Sequence, residues 1–241
     1  MIVLTVTKIW LNIIENKIFR VKELKMKSFL KVLYLVLFLS STSNAEVINV
    51  FDFTDKELAN LEVRKVRGAD NKTTYSVGYN DKGNYLKAIA NNAASGLGKK
   101  LKIDLNVTPF INITWKVEKD LSGIVENSKK GHDFAARVFV IKKTGATPLS
   151  NRAINYVFSS NGDVGGNWPS PYTKKSIDNV LSTTKENLNK WVTVKSNVKE
   201  DFKRFHDLDV NELDGIAIMA DTDNSKKMSI SYYQNIYFSA D

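Results

Sequence analysis

The chain has 241 residues, 43% hydrophobic and 25% charged, with no cysteine and two histidines. This excludes a disordered, collagenous or disulfide-stapled protein, and it removes thiol catalysis, iron–sulfur clusters and cysteine zinc sites together. The formal charge of +9 sits largely at the start, because residues 1–45 carry seven Lys and Arg against two acids and the remainder carries 28 against 24.

Residues 26–45 have the three parts of an export signal. Lys27 and Lys31 are basic, Val32 to Leu39 is an apolar run too short to span a bilayer, and Ser43 and Ala45 are small where a signal peptidase reads. Cleavage after Ala45 is expected, giving a periplasmic or secreted protein of residues 46–241 with no stable membrane span. Residues 1–25 read as an upstream extension from a misassigned start at Met1 in place of Met26. An exported chain of this size needs no disulfides if its core is large enough.

From Glu46 the apolar residues recur with period two in short runs separated by Gly, Asn, Asp, Ser and Pro, which is the signature of half-buried strands. The expected strands are Val47 to Phe53, Thr74 to Gly78, Tyr85 to Ala90, Leu97 to Leu105, Phe110 to Val117, Ala135 to Lys142, Arg152 to Ser159, Trp191 to Lys195, Gly215 to Ala220 and Ile230 to Phe238. Within the fifth, Ile111, Ile113, Trp115 and Val117 line one face while Asn112, Thr114 and Lys116 line the other. The segment from Ser229 to Ser239 carries aromatic residues on both faces, so it is either buried on both sides or opens an aromatic face to a ligand. One helix is expected over Val198 to Phe205 with Asn197 as its N-cap, and a short one over Asp55 to Ala59. The fold class that follows is all-β: a two-sheet antiparallel jelly-roll β-sandwich, galactose-binding-like or concanavalin-like, in a single domain with one short helix.

Four clusters offer chemistry. Asp133 and Arg137, in Gly131-His132-Asp133-Phe134-Ala135-Ala136-Arg137, share a face if the strand begins at Asp133, and such a pair holds a hydroxyl or carboxylate or else ties a loop to a sheet. Asn155 sits among apolar neighbours beside Tyr156, as a ligand-orienting amide or a satisfied core group. Trp168 and Tyr172 lie in a loop with two glycines and two prolines, suited to stacking on a sugar ring or to capping the sandwich. Asp221, Asp223 and Asn224 follow an apolar strand, as a weak calcium loop or an Asx turn. His132 and His206 have no nucleophile beside them. No nucleophile elbow, P-loop, dinucleotide fingerprint or zincin motif occurs, and the lysine pairs are scattered over separate turns, which argues against nucleic-acid binding.

Taken as a set, these segments resemble the bacterial domain-of-unknown-function family numbered 3047. The carriers are Gly131 to Val140, Ala153 to Ser160, Trp168 to Thr173, Asn197 to Phe202 and Asp214 to Asn224. The chain departs from the family pattern at Phe158, Ala220 and Ser225-Lys226. The resemblance implies an exported bacterial protein and supplies no activity. From the residues, the expected function is a non-catalytic carbohydrate-binding protein using Asp133, Arg137, Asn155, Tyr156, Trp168, Tyr172, Asp221, Asp223 and Asn224. The alternatives are a polysaccharide lyase or hydrolase using Asp133, Arg137 and Tyr156, and a structural or assembly protein of the envelope. No cofactor is expected, with calcium at Asp221 and Asp223 as the weak candidate, and the expected partner is a saccharide.

Overall fold

Fifteen strands are present among the described residues. In chain order they are β1 (Val47–Asn49), β2 (Val63–Lys65), β3 (Thr74–Asn80), β4 (Gly83–Asn91), β5 (Ala94–Lys99), β6 (Ile103–Asp104), β7 (Phe110–Lys119) and β8 (Ala136–Lys142). The rest are β9 (Arg152–Ser159), β10 (Asn167–Ser170), β11 (Thr173–Thr183), β12 (Val192–Asn197), β13 (Glu212–Leu213), β14 (Gly215–Asp221) and β15 (Met228–Ser239). The computed structural model describes residues 20, 22, 23, 25, 26 and 46–241, without Glu62. Apart from Met26, the expected signal peptide lies outside these residues. Among the described residues no helix is long and apolar enough to cross a membrane.

Residues 46–241 form one unit of two large sheets. The six-stranded sheet runs β12-β7-β15-β4-β3 with β1 beside β15, and every pair is antiparallel. The seven-stranded sheet runs β10-β11-β9-β8-β14-β5-β2. It is mixed rather than purely antiparallel, because the β10–β11 hairpin folds back so that β11 lies parallel to β9. β13 and β6 make a separate small ladder.

The inward faces enclose one core containing Ile111, Ile113, Trp115 and Val117 of β7, Val138 and Val140 of β8, Ile154, Tyr156 and Phe158 of β9, and Ile216 and Ile218 of β14. Trp115 packs on Phe158 at 5.5 Å, and its indole N–H reaches Ser182 Oγ at 3.0 Å. Tyr233 crosses from β15 to the opposite sheet, where its hydroxyl donates to the Met219 carbonyl at 2.7 Å and accepts from the Arg137 amide at 3.0 Å. The Trp115 indole N–H and the Tyr233 hydroxyl are thereby paired, as an apolar interior demands.

Three α-helices are present among the described residues from 46 onward. α1 (Asp55–Asn60) is capped by Thr54, whose hydroxyl accepts from the Glu57 amide, while the Glu57 carboxylate reaches back to the amides of Asp52 and Phe53. α2 (Thr184–Asn187) is a single turn after β11. α3 (Val198–His206) starts at Asn197, whose side chain accepts from the Glu200 amide, and it buries Val198 and Phe202. The expected strand from Leu97 to Leu105 is broken at Lys100–Lys102 into β5 and β6, and the residues Val50 to Phe53 leave β1 to pack as a non-strand segment.

Candidate functional site

Alternation along β8, β9, β11 and β14 sends Arg137, Asn155, Asp178 and Asp221 to the outer face of the seven-stranded sheet. The loop from Leu121 to Ala135 covers that face, held by its buried Glu126, which accepts from the Ser159 hydroxyl and from the Ser160 amide at 2.7 Å. Burial raises the Glu126 carboxyl above its ordinary range.

Two hydrogen-bonded groups lie under and beside this loop. In the first, Asp133 binds the turn after β14: its Oδ1 accepts from the Asn224 amide at 3.2 Å and from Asn224 Nδ2 at 2.9 Å, and its Oδ2 accepts from the Ser225 amide at 2.6 Å. Asp221 accepts from the Phe134 amide at 3.1 Å and pairs with the Arg137 guanidinium, which lies 5.3 Å from the ring centres of Phe134 and Phe139. In the second, Asn155 Nδ2 donates to Asp178 Oδ1 at 2.7 Å, and Asp178 Oδ2 meets His132 Nε2 at 2.8 Å. Tyr172 joins the two, with its ring edge-on to His132 at 5.6 Å and its hydroxyl donating to Asn224 Oδ1.

The carboxylates of Asp133, Asp221 and Asp223 each place an oxygen within 4.8 Å of the others. Burial pushes Asp221 up to about 8; Arg137 pulls it back, and the nearby charges of Asp133 and Asp223 push it further up. Asp223 is raised by burial and then by Asp133. A cation would compete here with a guanidinium already supplying the counter-charge, and with amide donors that occupy the oxygens of Asp133 and Asp221. The donor set fits a structural clamp better than a calcium cage, which needs six to eight oxygens free to turn inward.

The sequence-predicted residues are thus partly assembled and partly separated. Asp133, Arg137, Asp221, Asp223, Asn224 and Tyr172 come together, and Asn155 joins through Asp178 and His132. Arg137 pairs with Asp221 rather than Asp133, because the strand begins at Ala136 and Asp133 remains in the loop. Trp168 packs on Phe134, Val157 and Val180 beside this group. Tyr156 faces the opposite way: it is fully buried in the core, donating to Asp201 Oδ2 of α3 at 2.7 Å. A lyase pair of Tyr156 and Arg137 is therefore not formed, since successive strand residues point to opposite faces.

A second constellation lies on the outer face of the six-stranded sheet. Tyr85 of β4, Tyr232 of β15 and Trp191, just ahead of β12, have ring centres 5.6–6.0 Å apart and planes tilted 58–70° to one another. Lys116 and Lys87 hold their ammonium groups 4.2 Å and 5.5 Å from the Tyr232 ring centre. The Tyr232 hydroxyl donates to Glu118 Oε2 at 2.5 Å, and burial together with that carboxylate raises the phenol. Gly78 lies opposite Tyr85, and the ring covers it so closely that a Cβ there would be 2.3 Å from Tyr85 Cζ. Tyr232 is buried at the centre, while Tyr85 and Trp191 are half-buried at its sides. The aromatic content of β15 signals this face in the sequence. Tyr85 and Trp191 arrive from strands far away in the chain and carry no such signal.

A model of the family described as "Protein of unknown function (DUF3047)" matches residues 59–237. The chain belongs to this family. No curated protein matches this DUF3047 member. Among solved structures it is similar to the family 30 carbohydrate-binding module of the cellulosomal cellulase Cel9D-Cel44B of Clostridium thermocellum, at 8% identity and a TM-score of 0.46 over 81% of this chain and 98% of that one. It is also similar to the xyloglucanase domain of NopAA, a type three effector from Sinorhizobium fredii in complex with cellobiose, at 10% identity and a TM-score of 0.42 over 83% of this DUF3047 chain and 100% of that one. A third is Trichoderma harzianum endoglucanase 3 from family GH12, at 7% identity and a TM-score of 0.40 over 83% and 99%.

Proposed function

We propose that this DUF3047 protein is an exported, non-catalytic carbohydrate-binding protein that takes its ligand on the outer face of the six-stranded sheet. The observation that carries this reading is the cluster of Tyr85, Tyr232 and Trp191 on an outer sheet face, half-open at two of its three rings. The apolar C–H face of a pyranose packs on such rings, and nearby polar groups fix its orientation. The two sites differ in openness: the outer face of the seven-stranded sheet is capped by a loop and its polar groups bond to one another, so we assign Asp133, Arg137, Asn155 and Asn224 to holding the loops.

Hydrolysis is disfavoured by the carboxylate geometry. Glycosidases separate their two carboxyl groups by about 5–5.5 Å or about 6.5–9.5 Å with the sugar between them. Asp133 and Asp221 are buried and their oxygens are taken by backbone amides, Asn224 and Arg137, so they do not offer such a pair open to a sugar. Export is part of the proposal and rests on the signal at residues 26–45.

Trp191→Ala is the test. It is expected to abolish retention on immobilised polysaccharides while shifting the melting temperature little, because the indole is only half-buried. Retention equal to the parent protein across a panel that the parent binds would refute this placement of the ligand.

A further inference from the structure

The outer face of the six-stranded sheet carries charge as well as rings. Lys116, Tyr232 and Lys87 are register neighbours across β7, β15 and β4, so both lysines flank the central ring. The Lys116 ammonium lies 4.2 Å from the Tyr232 ring centre and 5.7 Å from that of Trp191, and the Lys87 ammonium lies 5.5 Å from Tyr232. Neither ammonium has an ion-pair or hydrogen-bond partner among the described residues. The nearby carboxylate, Glu118, is exposed and engaged by the Tyr232 hydroxyl.

Seven other lysines behave differently, whereas Lys195 likewise rests on the Phe110 ring, 5.1 Å from its centre. Lys99, Lys102, Lys142, Lys185, Lys199, Lys203 and Lys226 each reach a carboxylate. Lys87 and Lys116 instead rest on an aromatic face, which attracts a cation without neutralising it and leaves its N–H donors available. A neutral sugar uses the rings and leaves two adjacent cations uncompensated. A sugar bearing an anionic group uses both.

We infer that the ligand of this face is an acidic saccharide, with Trp191 and Tyr85 taking the pyranose ring and Lys87 and Lys116 taking its carboxylate or sulfate. The inference rests on the saccharide reading above and adds the charge class that the face selects.

The test measures binding of the protein, as the cell processes it, to immobilised polygalacturonate, dextran sulfate and hydroxyethylcellulose. It is run at about 150 mM NaCl, where charges beyond about 8 Å are largely screened. An acidic polymer is expected to bind about tenfold or more tightly than hydroxyethylcellulose, and whichever of the two acidic polymers binds more tightly identifies carboxylate or sulfate. Lys87→Gln/Lys116→Gln should lose about tenfold on that polymer, Trp191→Ala should lose binding, and Lys129→Gln/Lys130→Gln on an exposed loop should stay within about twofold. Melting curves establish that each variant is folded.

Equal or tighter binding to hydroxyethylcellulose, lost in Trp191→Ala, would overturn the acidic preference and leave the saccharide reading standing. Binding to acidic polymers that Trp191→Ala preserves, and that both lysine pairs weaken equally, would overturn both as general electrostatic adhesion. Absence of binding to all three polymers would overturn both as well.

Discussion

Tyr156→Phe separates a core role from a ligand role at one atom. The Tyr156 hydroxyl is fully buried and donates at 2.7 Å to Asp201 Oδ2, which also accepts from Ser196 Oγ at 2.5 Å. Removing a buried hydrogen bond to a charged acceptor costs about 1.5–3 kcal/mol. For a domain of this size each kcal/mol lowers the melting temperature by about 2–4 °C, so a loss of about 2 kcal/mol gives a drop of about 4–8 °C. The pH dependence adds a second check. Burial raises the Asp201 carboxyl above its ordinary value, and the Tyr156 and Ser196 hydroxyls oppose that rise. A raised carboxyl contributes stability that is fully present below its unfolded pKa and lost as pH climbs through its folded pKa. Without the Tyr156 donor the ionised form is penalised further, so the gap between variant and parent should widen as pH rises above the ordinary carboxylate range. Adding Asp201→Asn should flatten that widening. Calorimetric melts of the four proteins across pH provide the measurement. A Tyr156→Phe protein that melts with the parent at every pH yet no longer binds saccharide would refute the core assignment and return Tyr156 to a binding site.

Gly78→Ala should disturb the aromatic face by displacing the Tyr85 ring. A Cβ would lie 2.3 Å from Tyr85 Cζ and 2.5 Å from its Cε2 and hydroxyl, so the half-buried ring must swing away. Loss of one aromatic contact, worth about 0.5–1.5 kcal/mol, predicts a fall of about 2- to 10-fold in saccharide affinity by titration calorimetry, with Tyr85→Ala falling at least as far. Unchanged affinity in Gly78→Ala beside a loss in Tyr85→Ala would show that the ring's position is not what matters. At the acidic group, EDTA or added calcium should move the melting temperature by less than about 1 °C, because Arg137 and backbone amides already occupy Asp221 and Asp133. A drop of several degrees in EDTA, restored by calcium, would reinstate the calcium loop.

The strands that alternate cleanly were readable because one face of each meets the core and the other does not. β7, β8, β9 and β14 fall where period two places them, and α3 starts at Asn197 because its side chain caps the helix. β11 was not readable. Its sequence Thr-Lys-Lys-Ser-Ile-Asp-Asn-Val-Leu-Ser-Thr is polar, and it buries Asp178 and Asn179, which only the partners supplied by other segments make tolerable. Asp178 was missed as a site residue for the same reason, since its partners His132 and Asn155 lie 46 and 23 residues away. Tyr156 looked like a neighbour of Asn155 in function because it is its neighbour in sequence, and a strand sends such neighbours to opposite faces.

By itself the sequence determined the all-β class, the family, the Asn197 helix cap and the expectation of an export signal, all of which depend on local periodicity, capping chemistry or contiguous motifs. Only the tertiary structure decided that Arg137 pairs with Asp221, that Tyr156 belongs to the core, and that Tyr85, Trp191 and Tyr232 meet between two unpaired lysines. Those contacts depend on strand order. β12, β7, β15 and β4 are neighbours in space but scattered along the chain, and sequence spacing carries no record of which strands will lie side by side.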